Sequence, residues 1–174
     1  HFEDMYDRTV TVNGVSEAFS MTGWRIGYIG APEYIARACN KMQGQVTSGA
    51  NCIGQKAAVT ALENSPSKIK YMIDAFKERR GLILGLLADI DGFKINEPQG
   101  AFYVFPDISY YFGKTLRGTT INSATDFSLY LLENAKVATV TGEAFGDPNC
   151  IRISYAASND DITAAMRQIK KVLA

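Results

Sequence analysis

Two strand-like stretches near the start of the chain bracket a short segment rich in glycine, serine and threonine. Residues Arg8–Val12 and Trp24–Ile29 are rich in β-branched and aromatic side chains, which is typical of strands. The intervening segment therefore connects two strands of a sheet, and α/β proteins commonly bind ligands at such connections. This pattern favours an α/β fold for the first part of the chain.

Three helices are predicted after these strands. One begins at Pro32 and runs through residue 40, and a second covers Asn51–Glu63. Ser65 and Pro66 give a cap and a first-turn proline for a third, long helix that stops near Gly92. Apolar side chains recur along one face of this third helix, which predicts packing against a core. They are Ile69, Met72, Ile73, Phe76, Ile83, Leu84 and Leu87.

From about Phe93 onward, the sequence alternates short strands with helices. Ser123 and Ser158 are each followed three residues later by an aspartate, which predicts two helix starts. The last helix carries four apolar residues on one face. They are Ile162, Met166, Ile169 and Leu173. This pattern is typical of a compact α+β unit.

Composition and charge exclude several classes of partner. The chain has 174 residues, with 18 Lys and Arg balanced by 18 Asp and Glu, so no excess charge favours nucleic acid or an anionic membrane. The most apolar stretch, Leu82–Ile90, is far shorter than the roughly 20 residues that span a bilayer. Residues 1–4 lack the positive charge and apolar core of a secretory signal. We therefore expect no membrane association.

The cysteines indicate a reducing compartment. Cys39, Cys52 and Cys150 are odd in number and widely separated, and they form no C-x-x-C pair. We expect them to be reduced interior thiols of a cytoplasmic protein. The single histidine, His1, supports no metal site.

The most specific motif of the chain is Asn13–Tyr28, with the sequence N-G-V-S-E-A-F-S-M-T-G-W-R-I-G-Y. It resembles the signature of the class I aminotransferases of the aspartate aminotransferase type, S-[lysine]-x-F-[small]-M-T-G-W-R-x-G. Two further segments resemble parts of the same family. Pro98–Val104 matches its P-x-G-[AT]-F-Y segment, and Thr141–Gly146 matches its P-G-x-x-F-G loop, with Thr141 in place of the usual proline.

One residue departs from this signature at the position that carries the chemistry. The family has a lysine there, joined to pyridoxal 5'-phosphate, whereas this chain has Glu17. The lysine amine forms an imine with the cofactor and then moves a proton. Glutamate has no nitrogen for an imine, and its negative charge would face a phosphate. Losing the acid–base role alone lowers a rate by about a hundredfold to ten-thousandfold, so the literal sequence predicts an inactive chain.

Two neighbouring residues of the motif are candidates for cofactor binding. The resemblance implies that Arg25 contacts the cofactor phosphate as a permanently charged fork of donors. It also implies a hydroxyl donor from Ser16, to which Thr22 could add another. A surface ion pair is the alternative for Arg25. Trp24, the only tryptophan, is expected to pack in the core.

Arg152 is the candidate for substrate binding. It lies in the strand pattern Ile151–Tyr155, where it faces away from the alternating apolar side chains. This segment matches the family's R-[IL]-S-[YF] strand, whose arginine clamps the substrate α-carboxylate by two parallel hydrogen bonds. Taken alone, an exposed position on a sheet is the alternative.

The resemblance covers the whole chain but less than half of the family's length. It implies the C-terminal part of a fold type I pyridoxal-phosphate-dependent transferase: residues 1–65 as a remnant of the large α/β domain, 66–92 as a long interdomain helix, and 93–174 as a small α+β domain. Family members form homodimers. Upstream groups that hold the cofactor in the family, such as the aspartate on its pyridine nitrogen, are missing from this sequence.

Two hypotheses from different classes follow. The first is a fragment of an aminotransferase that moves an amino group between an amino acid, of the aspartate type, and a 2-oxo acid. In that case Glu17 is an engineered change, a sequence variant or a discrepancy in the sequence. The second is a non-catalytic paralogue or truncated product that keeps the scaffold for binding or assembly.

Overall fold

A computed structural model describes residues 4–64 and 66–174 of the chain. The chain forms two compact units, of which the first ends at Lys70 and the second begins at Tyr71. The segment 66–92, predicted as an interdomain helix, straddles this boundary and lies mostly in the second unit. Among the described residues, no helix combines the length and the apolar character needed to cross a membrane.

In its described residues, the first unit contains one pair of antiparallel strands and two helices. Its regular elements are β1 (Thr11–Gly14), β2 (Gly27–Gly30), α1 (Glu33–Val46) and α2 (Cys52–Glu63), with short 3-10 turns at Tyr6–Arg8, Thr22–Trp24 and Pro66–Ile69. In the strand pair, Asn13 lies opposite Tyr28. The motif therefore does connect two paired strands, as the sequence predicts.

Local sequence signals locate the helices of this unit better than its strands. Both strands begin later than predicted, because 3-10 turns occupy Tyr6–Arg8 and Thr22–Trp24. Helix α1 continues beyond residue 40 because straight-chain residues with high helix propensity follow. Helix α2 begins as predicted, with the Asn51 side chain accepting hydrogen bonds from the backbone N–H groups of Ile53 and Gly54.

The second unit combines three helices with short antiparallel strands. Its regular elements are α3 (Lys70–Ala88, whose first residue closes the first unit), β3 (Tyr103–Val104), β4 (Thr115–Leu116), β5 (Thr119–Thr120), α4 (Ala124–Ala135), β6 (Val140–Thr141), β7 (Ile151–Ser154) and α5 (Asn159–Leu173). Strand β7 lies in the centre of the sheet β3-β7-β6, and β4 and β5 form a separate hairpin. Ser65, the predicted cap of α3, lies outside the described residues.

One hydrophobic core fills the second unit and explains its helix orientations. Helices α3, α4, α5 and strand β7 each contribute fully buried side chains. Examples are Ile83, Leu87, Phe127, Leu131, Ile151, Ile153, Ile162, Met166 and Ile169. The predicted apolar face of α3 is buried only in its C-terminal half, since Ile73 is exposed. On α5, the predicted residues Ile162, Met166 and Ile169 are buried, whereas Leu173 is half-buried. Val172 is buried in addition.

The two predicted serine caps in the second unit are confirmed. The Ser123 hydroxyl accepts a hydrogen bond from the N–H of Asp126 at 3.1 Å. The Ser158 hydroxyl accepts one from the N–H of Asp161, also at 3.1 Å. Each cap satisfies a backbone donor that the first turn of a helix leaves unpaired.

Three burial predictions are wrong. Cys39 and Cys52 are exposed, so they are not interior thiols. Cys39 lies on α1, which buries no side chain among the described residues, and Cys52 lies on the first turn of α2. Trp24 is 42% exposed and is not a core residue of its unit. Cys150 alone is buried as expected, and burial raises the pKa of its thiol to about 11.

Candidate functional site

Residues 15–26, here called the β1–β2 loop, are held in place by apolar side chains. Val15, Met21 and Ile26 are buried and form the small core of the first unit together with Ala58 of α2. The N–H of Val15 donates to the carbonyl of Ile26 at 3.5 Å, and that of Met21 donates to the carbonyl of Ser16 at 2.8 Å. The loop is therefore a folded element with a defined inner and outer side.

Gly54 lets the first turns of helix α2 pack directly against this loop. A Cβ atom at this position would lie 3.0 Å from side-chain carbons of Ile26 and 3.4 Å from the carbonyl oxygen of Trp24. Contacts this close leave little room for a side chain. The close approach fixes the end of the loop on a rigid helix.

Because the apolar side chains face inward, the polar candidates of the loop face outward. Ser16 is half-buried, and Glu17 and Arg25 are exposed. The carbonyl of Glu17 accepts a hydrogen bond from the N–H of Ser20 at 3.3 Å, which closes a turn. The loop therefore presents a hydroxyl, a carboxylate and a guanidinium on one short segment.

Arg25 has an unusual backbone conformation. Its φ of 56° and ψ of 49° place it in the left-handed region, which costs an ordinary residue about 1–2 kcal/mol. Its Nη1 donates a hydrogen bond to the carbonyl of Thr22 at 2.9 Å. A guanidinium has five N–H donors, so this bond orients the group and leaves further donors for an anion such as a phosphate.

Glu17 does not fit a covalently attached cofactor. Its exposed carboxylate has no amine for an imine. It also places a negative charge in the loop that carries the candidate anion-binding arginine. The remaining polar groups, on Ser16 and Arg25, are of a type that suits a phosphate.

Arg152 lies on the central strand of the sheet β3-β7-β6. Ile151 and Ile153 on either side of it are buried, whereas Arg152 is half-buried, so it faces away from the core as the alternation predicts. Its guanidinium carbon lies 4.3 Å from the ring centre of Tyr103 and 4.1 Å from that of Phe145. Both distances are typical of cation–π contacts.

The sequence alone predicts no functional role for either of these rings. The available signal was their place in the two further segments that resemble the family, Pro98–Val104 and Thr141–Gly146. Their contact with Arg152 depends on strand pairing, which those segments do not specify.

Gly142 explains why the turn that carries Phe145 lies against strand β7. A Cβ atom on Gly142 would clash with the carbonyl oxygens of Asp147 and Cys150. The N–H of Gly142 also donates to the carbonyl of Cys150 at 2.7 Å. A residue without a side chain is therefore required here, and the 3-10 turn Gly142–Phe145 follows directly.

The predicted site residues fall into two groups. Ser16, Glu17 and Arg25 lie together in the β1–β2 loop of the first unit. Arg152 belongs to the second unit, where it is accompanied by Tyr103 and Phe145. Ser16 and Arg25 offer donors of a type that suits a phosphate, whereas the carboxylate of Glu17 would repel one. The guanidinium of Arg152 is of a type that suits a carboxylate.

Comparison with known proteins identifies the family of the chain. The family described as aminotransferase class I and II matches residues 1–169. The bifunctional aspartate aminotransferase and glutamate/aspartate-prephenate aminotransferase of Petunia hybrida is 51% identical over 97% of this chain and 36% of its own length. The aspartate aminotransferase of Rhizobium meliloti strain 1021 is 44% identical over 94% of the chain and 40% of its own length.

Solved structures agree with this match. The crystal structure of the aspartate aminotransferase from Rhizobium meliloti has a TM-score of 0.92 at 43% identity, covering 97% of this chain and 42% of that one. An aromatic aminotransferase from Pyrococcus horikoshii OT3 has a TM-score of 0.87 at 34% identity, covering 99% and 44%. The predicted fold class is confirmed, and the chain spans about two fifths of the length of these relatives. The chain belongs to the aminotransferase class I and II family.

Proposed function

We propose that this chain is the C-terminal part of a pyridoxal-phosphate-dependent aminotransferase. The parent enzyme transfers an amino group between an amino acid of the aspartate type and a 2-oxo acid. The observation that carries this proposal is the 51% identity, over 97% of the chain, to an enzyme named for aspartate and prephenate transamination. With Glu17 in place of the lysine, the chain as written does not catalyse this reaction.

The proposed binding roles follow from the charge and exposure of each side chain. Arg25 and Ser16 contact the phosphate of the cofactor. An exposed guanidinium in a loop fixed to a helix supports this role, because phosphate sites need oriented donors at the surface. Arg152 binds the carboxylate of the amino acid or 2-oxo acid. Its half-buried charge, which would be expensive to leave unpaired, supports that role.

The remaining properties of the parent are proposed from its family. We propose a cytoplasmic homodimer whose large domain includes residues 1–65 of this chain, followed by the interdomain helix 66–92 and the small domain 93–174. Substrate partners are small molecules, and neither nucleic acid nor membrane is involved. The balanced charge of 18 basic and 18 acidic residues supports the last point.

The test compares two forms of the full-length parent that differ only at position 17. The form with Glu17→Lys should transfer the amino group of L-aspartate to 2-oxoglutarate. The rate of the Glu17 form should be lower by at least about ten-thousandfold, which is the upper end of what acid–base catalysis alone contributes. An inactive lysine form would contradict the aminotransferase assignment. An active Glu17 form would contradict the proposed inactivity.

A second measurement uses this chain alone and reads out the residue itself. After incubation with pyridoxal phosphate and borohydride, peptide mapping should find no adduct at Glu17, since a carboxylate cannot form an imine. The chain with Glu17→Lys provides the matched control. An adduct at position 17 of the unaltered chain would mean that the residue there is not glutamate.

A non-catalytic paralogue or truncated product is the second candidate. It is favoured by Glu17, which lacks the amine that the reaction needs. The gene from which the sequence comes discriminates between the two. A longer reading frame with a lysine codon at position 17 would exclude the paralogue, whereas a glutamate codon would favour it.

A further inference from the structure

Two aromatic rings contact the guanidinium of Arg152 at nearly equal distances. The carbon at its centre lies 4.3 Å from the middle of the Tyr103 ring and 4.1 Å from that of Phe145. A guanidinium has weakly hydrated faces, which suit aromatic rings, and an edge that carries all of its N–H donors. Ring contacts at the carbon therefore leave the edge for hydrogen bonding. Tyr103 and Phe145 are here called the aromatic cage.

Strand pairing places the first ring of the aromatic cage. Tyr103 on β3 lies directly opposite Ser154 on β7. Arg152 is two residues from Ser154, so it is on the same face of the sheet and at a diagonal position, within reach of an aromatic side chain. Phe102, which directly precedes β3, supports this ring, with the two ring centres 4.5 Å apart.

The turn after β6 places the second ring. Phe145 ends the 3-10 turn that begins at Gly142, and Gly146 closes this turn with a φ of 87°. The edge of one ring meets the face of the other between Phe105 and Phe145, at 6.2 Å and 89°. Such a pair contributes about 0.5–1.5 kcal/mol. Each ring of the aromatic cage thus has a support of its own.

The charge of Arg152 lacks an anionic partner within residues 4–64 and 66–174. The ion pairs of the described residues involve other side chains, and the guanidinium donates no hydrogen bond to a protein acceptor there. A half-buried arginine whose edge donors have no acceptor is suited to a bidentate anion. A carboxylate matches this geometry, because its two oxygens accept two parallel N–H bonds.

We propose that Tyr103 and Phe145 are positioning residues that hold Arg152 for bidentate binding of a substrate carboxylate. The identity of this ligand rests on the proposed function, whereas the aromatic cage rests on the contacts just described. The rings do not touch the carboxylate. They restrict the guanidinium to orientations in which its edge is free, so that less freedom is lost when the ligand binds.

The test uses the 174-residue chain, with L-aspartate as the probe. The side-chain N–H and Cδ proton signals of Arg152 are followed by NMR, after assignment by comparison with Arg152→Lys. In the unaltered chain, the aromatic cage should shift the Cδ protons upfield through ring currents. L-Aspartate should then move the N–H signals in a saturable manner.

Variants separate positioning from a merely structural role. Replacing both rings, with Tyr103→Leu and Phe145→Leu together, should remove the ring-current shift and weaken L-aspartate binding roughly tenfold, the size expected for two cation–π contacts. Tyr103→Phe keeps the ring and should restore binding to within about twofold of the unaltered chain. Tyr110→Leu is the matched control, since Tyr110 lies against Lys114 instead of Arg152.

Thermal unfolding shows whether each variant folds. If the double variant does not fold, the single variants Tyr103→Leu and Phe145→Leu are used in its place. Unchanged affinity after loss of both rings would overturn the aromatic cage and leave the proposed function standing. The absence of a ring-current shift in the unaltered chain would also overturn it. If the ring-current shift is present but L-aspartate leaves the Arg152 signals of the unaltered chain unmoved, the assignment of Arg152 to the carboxylate is wrong, and with it the positioning role of the two rings.

Discussion

Arg152 and Tyr103 lie on the same face of neighbouring antiparallel strands, with the guanidinium carbon 4.3 Å from the ring centre. This contact depends on the register of the sheet, because successive side chains of a strand point to opposite faces. A slip of one residue between β3 and β7 would move Tyr103 to the other face. The orientation of the arginine is therefore tied to the pairing of two very short strands.

Loss of the Arg152 side chain should weaken carboxylate binding. In the full-length parent with Glu17→Lys, we expect Arg152→Ala to raise the KM for both L-aspartate and 2-oxoglutarate about tenfold to a hundredfold, since charged hydrogen bonds contribute about 1.5–3 kcal/mol each. Steady-state kinetics measure this. Arg167→Ala, at an exposed position on α5, is the control and should leave KM unchanged. Equal KM values for the two variants would remove Arg152 from its proposed role.

Gly142 should tolerate no side chain. We expect Gly142→Ala to lower the free energy of unfolding by about 1–3 kcal/mol, because its Cβ would meet two backbone oxygens that cannot move aside freely. Urea denaturation of the chain measures the change. Gly81→Ala on α3 is the matched control, since a Cβ there meets nothing within 4 Å. The control should raise stability by about 0.5–1 kcal/mol through helix propensity. Similar changes in both variants would contradict the close packing at Gly142.

The chain should be more stable with valine in place of Thr141. Its hydroxyl oxygen is buried and has no hydrogen-bond partner in the described part of the chain. A buried unpaired polar group costs about 1–3 kcal/mol, so Thr141→Val should raise the free energy of unfolding by about 1 kcal/mol. Thr139→Val should have the opposite effect, because the Thr139 hydroxyl bonds to that of Ser128 at 3.1 Å. A loss of stability in Thr141→Val would indicate that its hydroxyl does have a partner.

Cys150 should react more slowly with alkylating agents than the other two cysteines. Burial raises the pKa of its thiol from 9.0 to about 11, so it stays protonated at pH 8 while the folded state persists. Cys39 and Cys52 are exposed and should react first. Iodoacetamide labelling followed by peptide mass mapping measures the three rates. Equal rates in the native chain would contradict the burial of Cys150.

The raised pKa of Cys150 also makes the stability of the folded state decrease at high pH. A raised pKa means that folding favours the neutral thiol. The stabilisation is fully present below the ordinary pKa of 9.0, and it is lost as the pH rises towards about 11. The urea concentration at the unfolding midpoint should therefore decrease as the pH is raised from 9 to 11. In Cys150→Ala it should decrease less steeply. Identical pH dependences in the two chains would mean that the Cys150 thiol does not contribute to this loss of stability.

The parts of the fold that the sequence predicts well are those set by neighbouring residues. The caps at Ser123 and Ser158 are correct because a side chain and the backbone N–H group three residues later suffice to form them. The burial of Cys39 and Trp24 was inferred from residue type, which does not specify the face of an element on which a residue lies. Local signals thus locate helix starts but not solvent exposure.

In the candidate site, too, the sequence predicts the features set by consecutive residues and misses those set by distant contacts. The segment around Glu17 was identified from consecutive residues, and so was the strand that carries Arg152. The aromatic cage could not be predicted, because Tyr103 and Phe145 meet Arg152 only through strand register and a turn closed at Gly142. Contacts between residues distant in sequence require the folded structure.

The left-handed backbone of Arg25 lowers local stability. Glycine adopts this conformation freely, so a chain with no anion to hold would be more robust with Arg25→Gly, by about 1 kcal/mol. Random substitution under selection for folding alone would therefore remove the arginine. The arginine at this position therefore lowers the stability of the fold by an amount that Arg25→Gly would recover.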